Sequence, residues 1–263
     1  MKNKTIVMLA GASDTSAMVY NHLAKKYNIA AVVLETPQSR WLSIKGKYHF
    51  IRRRIKRLGI WTVLGQILFS VFVCVPQSRL SRKRVASIIA ENDLLTTDIP
   101  ADKIVGVNSV NDNEVVKVLQ KYNPDVVIVN GTGIIKEHIL SSVACSFINT
   151  HAGITPKYRG VHGMYWALAN DDVENAGVTV HFVDKGIDTG GVIFQARTKP
   201  TSNDNFSTYF YLQIAEGVKI LEKAVDGYLN NSLVCDTPPS ESHLYSHPTI
   251  WRYVYNRFKK GVK

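Results

Sequence analysis

The stretches TIVMLAG (5–11), AAVVLE (30–35) and DVVIVN (125–130) are apolar on both alternating faces, a pattern that suits strands covered on both sides. Segments with apolar residues at helical spacing, DTSAMVYNHLAKKY (14–27) and NEVVKVLQKY (113–122), lie between them. This βα alternation, sustained to about Asn149, predicts an α/β fold: a doubly wound, mostly parallel sheet with helices on both faces. With 263 residues, 45% of them hydrophobic, the chain can bury a real core. The expected organisation is a catalytic domain over 1–200, interrupted by a basic, apolar insertion at about 36–80, and a helical extension with a basic tail over 201–263.

Ligands of such sheets bind at the carboxyl ends of strands, which directs attention to Asn130–Ile135 and Asn149–His151. The loop after the first strand has a single glycine, Gly11, so the three-glycine dinucleotide fingerprint is missing and a nicotinamide enzyme is disfavoured. Ser13, Asp14 and Thr15 follow it, either as a plain helix cap or as part of an anion site. Cys74, Cys145 and Cys235 are scattered and form no Cys-x-x-Cys pair, which points away from disulfides and zinc and toward a reducing cytoplasm. No metal is expected.

The net charge of +11 has one source. Between Thr36 and Ala90 there are twelve cations and no Asp or Glu, so the remaining twenty cations nearly balance twenty-one anions. A nucleic-acid-binding role for the whole chain is thereby weakened.

Asn149 and His151 are two apart, so in extended backbone they point to the same side. Together with the downstream Asp188 they suffice for acyl transfer between nitrogens. An amide or imidazolium can stabilise a tetrahedral oxyanion, and a carboxylate beside the imidazole can orient it and hold its charge. His181, on a strand GVTVHF (177–182), is expected to be a strand-face residue.

The run Asn149-Thr150-His151-Ala152-Gly153-Ile154-Thr155-Pro156-Lys157-Tyr158-Arg159-Gly160, followed by GVTVHFVDKGIDTGGVIFQ (177–195), resembles the formyltransferases that use 10-formyltetrahydrofolate. That family includes glycinamide ribonucleotide transformylase, methionyl-tRNA formyltransferase and sugar-nucleotide N-formyltransferases. The resemblance is clear over about Asn123–Gln195. It implies Asn149, His151 and Asp188 as catalytic residues and 10-formyltetrahydrofolate as co-substrate. It also implies a folate pocket walled by Gly131, Gly133, Ile134 and Ile135 on one side and by Val183, Asp184, Gly186 and Ile187 on the other. Where the family usually carries Ser-Leu-Leu-Pro, this chain has Gly153-Ile154-Thr155-Pro156.

The first loop looks more like that of the tRNA and sugar branches than the purine branch, and only 64 residues follow Lys199, led by a long helix, which disfavours a tRNA module. The expected acceptor is therefore an amino sugar on a nucleotide in surface-glycan biosynthesis, with Ser13, Lys157, Tyr158, Arg159 and His162 as candidate contacts. Arg159 serves equally as a brace for its own loop. The rivals are a purine-pathway transformylase, a methionyl-tRNA enzyme, and a membrane-surface binding protein without turnover. A homodimer is a further expected partner state.

From Leu58 to Val75 the chain carries no charge, yet Gly59, Thr62, Gln66 and Ser70 form a narrow polar stripe at helical spacing. Two readings stand: a helix lying on an anionic membrane face through 40–84, or a helix packed on the catalytic domain.

Overall fold

The computed structural model describes residues 4–36, 44–233, 235 and 241–263. The start of the expected insertion, 37–43, and Arg40 within it, lie outside the described residues.

Strands β1 (Thr5–Gly11), β2 (Asn28–Glu35), β3 (Ile104–Val107), β4 (Val126–Asn130), β5 (Phe147–His151), β7 (Gly177–Phe182) and β8 (Val192–Arg197) form one sheet among the described residues, in the order β3-β2-β1-β4-β5-β7-β8. The first five run parallel, and β7 and β8 join antiparallel. The doubly wound α/β expectation holds, with an antiparallel edge added. A short pair, β6 (Tyr158–Gly160) with β9 (His243–Tyr245), stands apart from the sheet.

Alternation along the strands divides the core between two layers. Ile6, Met8, Val126 and Ile128 face one side with α1 (Asp14–Ala24); Val7, Leu9, Val127 and Val129 face the other with α6 (Asn113–Tyr122). Each such fully buried side chain contributes about 1.5–3 kcal/mol. The segment expected as an extension is built into the first layer: Ile214, Val218, Leu221 and Val225 of α9 (Phe206–Leu229) pack on the sheet. Asn205 and Thr208 close a capping box at its start.

The chain turns back at β1, with β2 on one side and β4 on the other, so the switch point lies where their carboxyl ends meet. Gly11 and Gly131 touch there; a Cβ on Gly11 would fall 2.2 Å from the Gly131 carbonyl oxygen. Gly131 itself has φ +66°, which glycine alone adopts readily.

The basic segment is helical: α2 (Ile44–Leu58), then α3 (Ile60–Phe69), a π turn (Ser70–Cys74), α4 (Val75–Leu80) and α5 (Arg82–Glu91). Pro76 has no N–H to give the Phe72 carbonyl, and the helix widens into the π turn just before it. Ile60–Leu80 is long and apolar enough by length and composition to cross a membrane, and 28% of its most apolar window is buried inside the protein. The Gln66 amide nitrogen donates to the His247 carbonyl at 2.7 Å, and α3 packs on α10 (Ile250–Lys260). The segment therefore packs on the domain through one face, while Ile60, Trp61, Leu64, Val71, Phe72 and Val75 stay exposed on the other. Two further short helices are α7 (Glu137–Leu140) and α8 (Gly163–Ala169).

Candidate active site

Strand β5 changes from core to chemistry within five residues. Phe147 and Ile148 are buried in the two layers, and Asn149 and His151 then emerge on one face at the strand end. Pairing with β7 sets Asn149 opposite His181 and His151 opposite Thr179, so these four side chains share that face.

His181 Nδ1 lies 2.7 Å from its neighbour's carbonyl, Phe182 O, and its Nε2 lies 3.1 Å from Asn149 Nδ2. With the proton on Nδ1, Nε2 accepts from the Asn149 amide, which fixes the rotation of that amide. His181 is thus more than the strand-face residue expected from sequence. Its place opposite Asn149 depends on strand register; the signal available was the matching two-residue spacing of polar groups in both strands.

The His151 ring lies between two acceptors. Its Nε2 is 2.8 Å from Tyr158 O and its Nδ1 is 3.4 Å from Asp188 Oδ2. Burial pushes His151 below the ordinary imidazole value, against the pull of Asp188 and the Tyr158 carbonyl, with His181 adding to the downward side. At rest Nε2 therefore carries the proton, and the Nδ1 lone pair faces the carboxylate.

Asp188 sits in the left-handed region at φ 51°, where the loop turns, and accepts from the Gly160 N–H at 2.9 Å. Burial alone would raise its carboxyl, but the His181 and His151 rings in their protonated forms, with the Gly160 N–H, hold it below the usual carboxylate range. The structure thus gathers the three residues expected to be catalytic, Asn149, His151 and Asp188, with His181 as a fourth member.

The loop carrying this group is pinned from behind. Thr179 Oγ1 donates to Gly153 O at 2.7 Å and accepts from Thr155 N at 3.0 Å, while the Gln195 amide donates to Thr155 O at 2.7 Å. The chain passes so close that a Cβ on Gly153 would lie 2.4 Å from Tyr158 O and 2.7 Å from His151 Nε2.

A cavity of about 1800 Å³ opens over these residues, and both loops expected to hold folate line it: Gly131, Gly133, Ile134 and Ile135, facing Val183, Asp184, Gly186 and Ile187. Glu35 ties the first loop by accepting from Gly133 N at 2.8 Å and Val110 N at 2.9 Å. Asp184 is occupied within its own turn, accepting from Gly186 N and the Thr189 hydroxyl. Exposed Ile134 and Ile187 add apolar surface on the two sides. Apolar side chains beside backbone amides fit a flat heteroaromatic group. Among the described residues, no group of three or more His, Cys, Asp or Glu is placed to hold a metal ion.

The expected acceptor contacts divide. His162 lines the cavity, but its Nε2 is 2.8 Å from His247 Nδ1, and burial, aided by His247, pushes it down to about 3. Lys157 and Tyr158 both turn to Asp172, at 2.6 and 2.8 Å, and Tyr158 is buried under Tyr245, so neither lines the cavity. Arg159 donates to Ile187 O at 3.2 Å, the loop-bracing alternative. Ser13 contacts the hydroxyls of Thr15 and Ser16 on the β1 loop, outside the cavity wall. Cavity residues that sequence reasoning missed come from distant segments: Arg54, Arg57, Gln66 and Ser70 of the helical insertion, and His247.

Residues 73–224 match the family model described as Formyl transferase. The methionyl-tRNA formyltransferase of Finegoldia magna is 32% identical over 126 residues, 48% of this chain and 40% of that protein. That of Caldanaerobacter subterraneus is 30% identical over 55% of this chain and 47% of its own length. The chain thus spans less than half the length of these curated relatives. Among solved structures, glycinamide ribonucleotide transformylase 1 from Symbiobacterium toebii aligns with a TM-score of 0.57 at 18% identity, over 89% of this chain and 91% of that one. The N-formyltransferase from Helicobacter canadensis, in complex with folinic acid and dTDP-3-aminofucose, aligns at 0.54 and 16% identity over 91% and 70%. These likenesses show the fold.

Proposed function

We propose that this chain, which belongs to the formyl transferase family, moves a formyl group from 10-formyltetrahydrofolate to the amine of a nucleotide-linked amino sugar, a cytoplasmic step of surface-glycan synthesis. The observation that carries the reaction is the convergence of Asn149, His151, His181 and Asp188 at one strand end beneath a large cavity.

Bound between the Gly131–Ile135 and Val183–Ile187 loops, the folate supplies an activated formyl carbon. Asn149, held by His181, offers its second amide N–H to the oxygen that becomes negative as the amine attacks. His151 enters neutral, and its Nδ1 takes the proton that the amine loses on forming the new C–N bond. Asp188, already ionised 3.4 Å away, stabilises the imidazolium. The cation then returns this proton to the departing nitrogen of the donor as the old C–N bond breaks. His181 is a positioning residue, since it acts through Asn149 and Asp188.

Support for a sugar nucleotide comes from the far wall of the same cavity, where Arg54 and Arg57 lie with Phe50. Guanidinium groups suit a diphosphate, and aromatic rings suit a base or sugar face. A tRNA acceptor is the second reading, favoured by the sequence similarity to the methionyl-tRNA formyltransferases of Finegoldia magna and Caldanaerobacter subterraneus.

Mass spectrometry of acceptors after incubation with 10-formyltetrahydrofolate separates these readings. The panel is a set of amino-sugar nucleotides, glycinamide ribonucleotide and methionyl-tRNA. Formylation of one sugar nucleotide, lost in His151→Ala, is the expected result. Formylation of glycinamide ribonucleotide or methionyl-tRNA alone would refute the sugar assignment while keeping the reaction.

A further inference from the structure

We propose that the Ile60–Leu80 helical run and the outer face of α10 together form a docking surface for an anionic lipid bilayer, in which the protein rests without spanning. The outer face of this run departs from the usual amphipathic rule. In a water-soluble domain the apolar stripe of a surface helix turns inward and the polar stripe outward. Here the polar residues Gln66, Ser70 and Gln77 turn inward, and each is bonded to the protein: Gln66 to His247 O at 2.7 Å, Ser70 Oγ to His247 Nε2 at 3.2 Å, and Gln77 to the Tyr253 hydroxyl at 2.7 Å. Ile60, Leu64, Val71 and Val75 are exposed on the other face, flanked by Trp61 at 73% and Phe72 at 67% exposure.

Helix α10 departs from the rule in the same way. Asn256 is wholly buried, donating to the Tyr165 hydroxyl at 2.9 Å, while Trp251, Val254, Tyr255 and Phe258 are exposed at i, i+3, i+4 and i+7, Phe258 at 83%. The two helices touch closely, since a Cβ on Gly65 would meet the Trp251 ring nitrogen at 2.6 Å. Their apolar faces belong to one packed unit, which exceeds the scattered single exposures normal for a soluble surface.

Charge selects the occupant. Exposed Arg52, Arg53 and Lys56 precede the run, Arg79, Arg82 and Lys83 close it, and Arg252, Arg257 and Lys259 flank the stripe of α10. No Asp or Glu occurs from Thr36 to Ala90 or from Ser242 to Lys263. A surface with an apolar centre, interfacial aromatics and a cationic rim matches the headgroup boundary of an anionic membrane. A second copy would bring the same positive rim against itself. The run lies flat because Val63, Phe69 and Val73 are buried in the protein and the inward polar stripe is tied to it. This docking is independent of which amine is formylated.

The test is flotation of the full chain with vesicles of phosphatidylcholine alone and of phosphatidylcholine mixed with phosphatidylglycerol. Expected is binding to the mixed vesicles, weakened by salt, and reduced by ~tenfold or more in the double variant Trp61→Glu, Phe72→Glu and separately in Phe258→Glu. Both variants should keep the wild-type melting temperature and folate binding. Equal binding by the variants, or no binding of the folded wild-type protein to mixed vesicles, overturns the proposal. So does concentration-dependent dimerisation, in light scattering, that these substitutions abolish while vesicles fail to bind.

Discussion

Replacing Gly153 by alanine adds one methyl group at the point where three parts of the site converge. The new Cβ would stand 2.4 Å from Tyr158 O and 2.7 Å from His151 Nε2, whereas ordinary contact begins at 3.4 Å. The ring must therefore retreat by about 0.7 Å (3.4 less 2.7) and the carbonyl by about 1 Å (3.4 less 2.4). These two atoms are the partners of the 2.8 Å hydrogen bond that sets the imidazole, so neither can move without displacing Nδ1 from Asp188. Overpacking of this kind costs about 1–3 kcal/mol of stability, and misplacing a reacting group by about 1 Å costs roughly 10²-fold in rate. Gly106→Ala is the control, because nothing lies within 4 Å of its added Cβ. The assay is kcat for formyl transfer alongside urea unfolding. A Gly153→Ala protein with kcat within about threefold of wild type would refute the assigned place of His151.

Asp188→Asn removes the charge that pulls the His151 value up, so this imidazole, already depressed by burial, should titrate still lower; histidine NMR of the two proteins reads the shift. Truncating His181 to alanine frees the Asn149 amide and should lower kcat by roughly 10–10²-fold, with little change in folate affinity by fluorescence titration. His162, held at about 3, stays neutral in the folded state while the unfolded chain protonates near pH 6.5. Stability should therefore be full above about pH 6.5 and fall by up to ~1.4 kcal/mol per pH unit toward pH 3, a loss that His162→Asn lessens in urea titrations at pH 7 and 5.

The parallel sheet was legible because its strands are buried on both faces and so spell out β-branched runs between helical segments. Asn149, His151 and Asp188 were legible chiefly because the runs 149–160 and 177–195 resemble the formyltransferases; the two-residue spacing of Asn149 and His151 was a weak signal by itself, and nothing in it required the glycine loop to return to that strand end. What stayed hidden depends on register or on distant packing. His181 joins the site only because β7 pairs with β5 so that it faces Asn149. Lys157 and Tyr158 leave the cavity because Asp172, fourteen residues beyond Tyr158, captures both. His247 reaches His162 from 85 residues away. Of the polar stripe expected at Gly59, Thr62, Gln66 and Ser70, Gly59 instead sits exposed at the break between α2 and α3, and only the packing on His247 reveals that Gln66 and Ser70 point inward.

Whether Asn149, His151 and Asp188 carry formyl transfer is tested most directly by single-turnover transfer of labelled formyl from 10-formyltetrahydrofolate to the acceptor found in the panel, by wild type and by Asn149→Ala, His151→Ala and Asp188→Asn. Expected is transfer by wild type and a loss of roughly 10²–10³-fold or more in each variant, with folate still bound. Transfer at wild-type rate in any of the three, with the fold intact, would contradict that role.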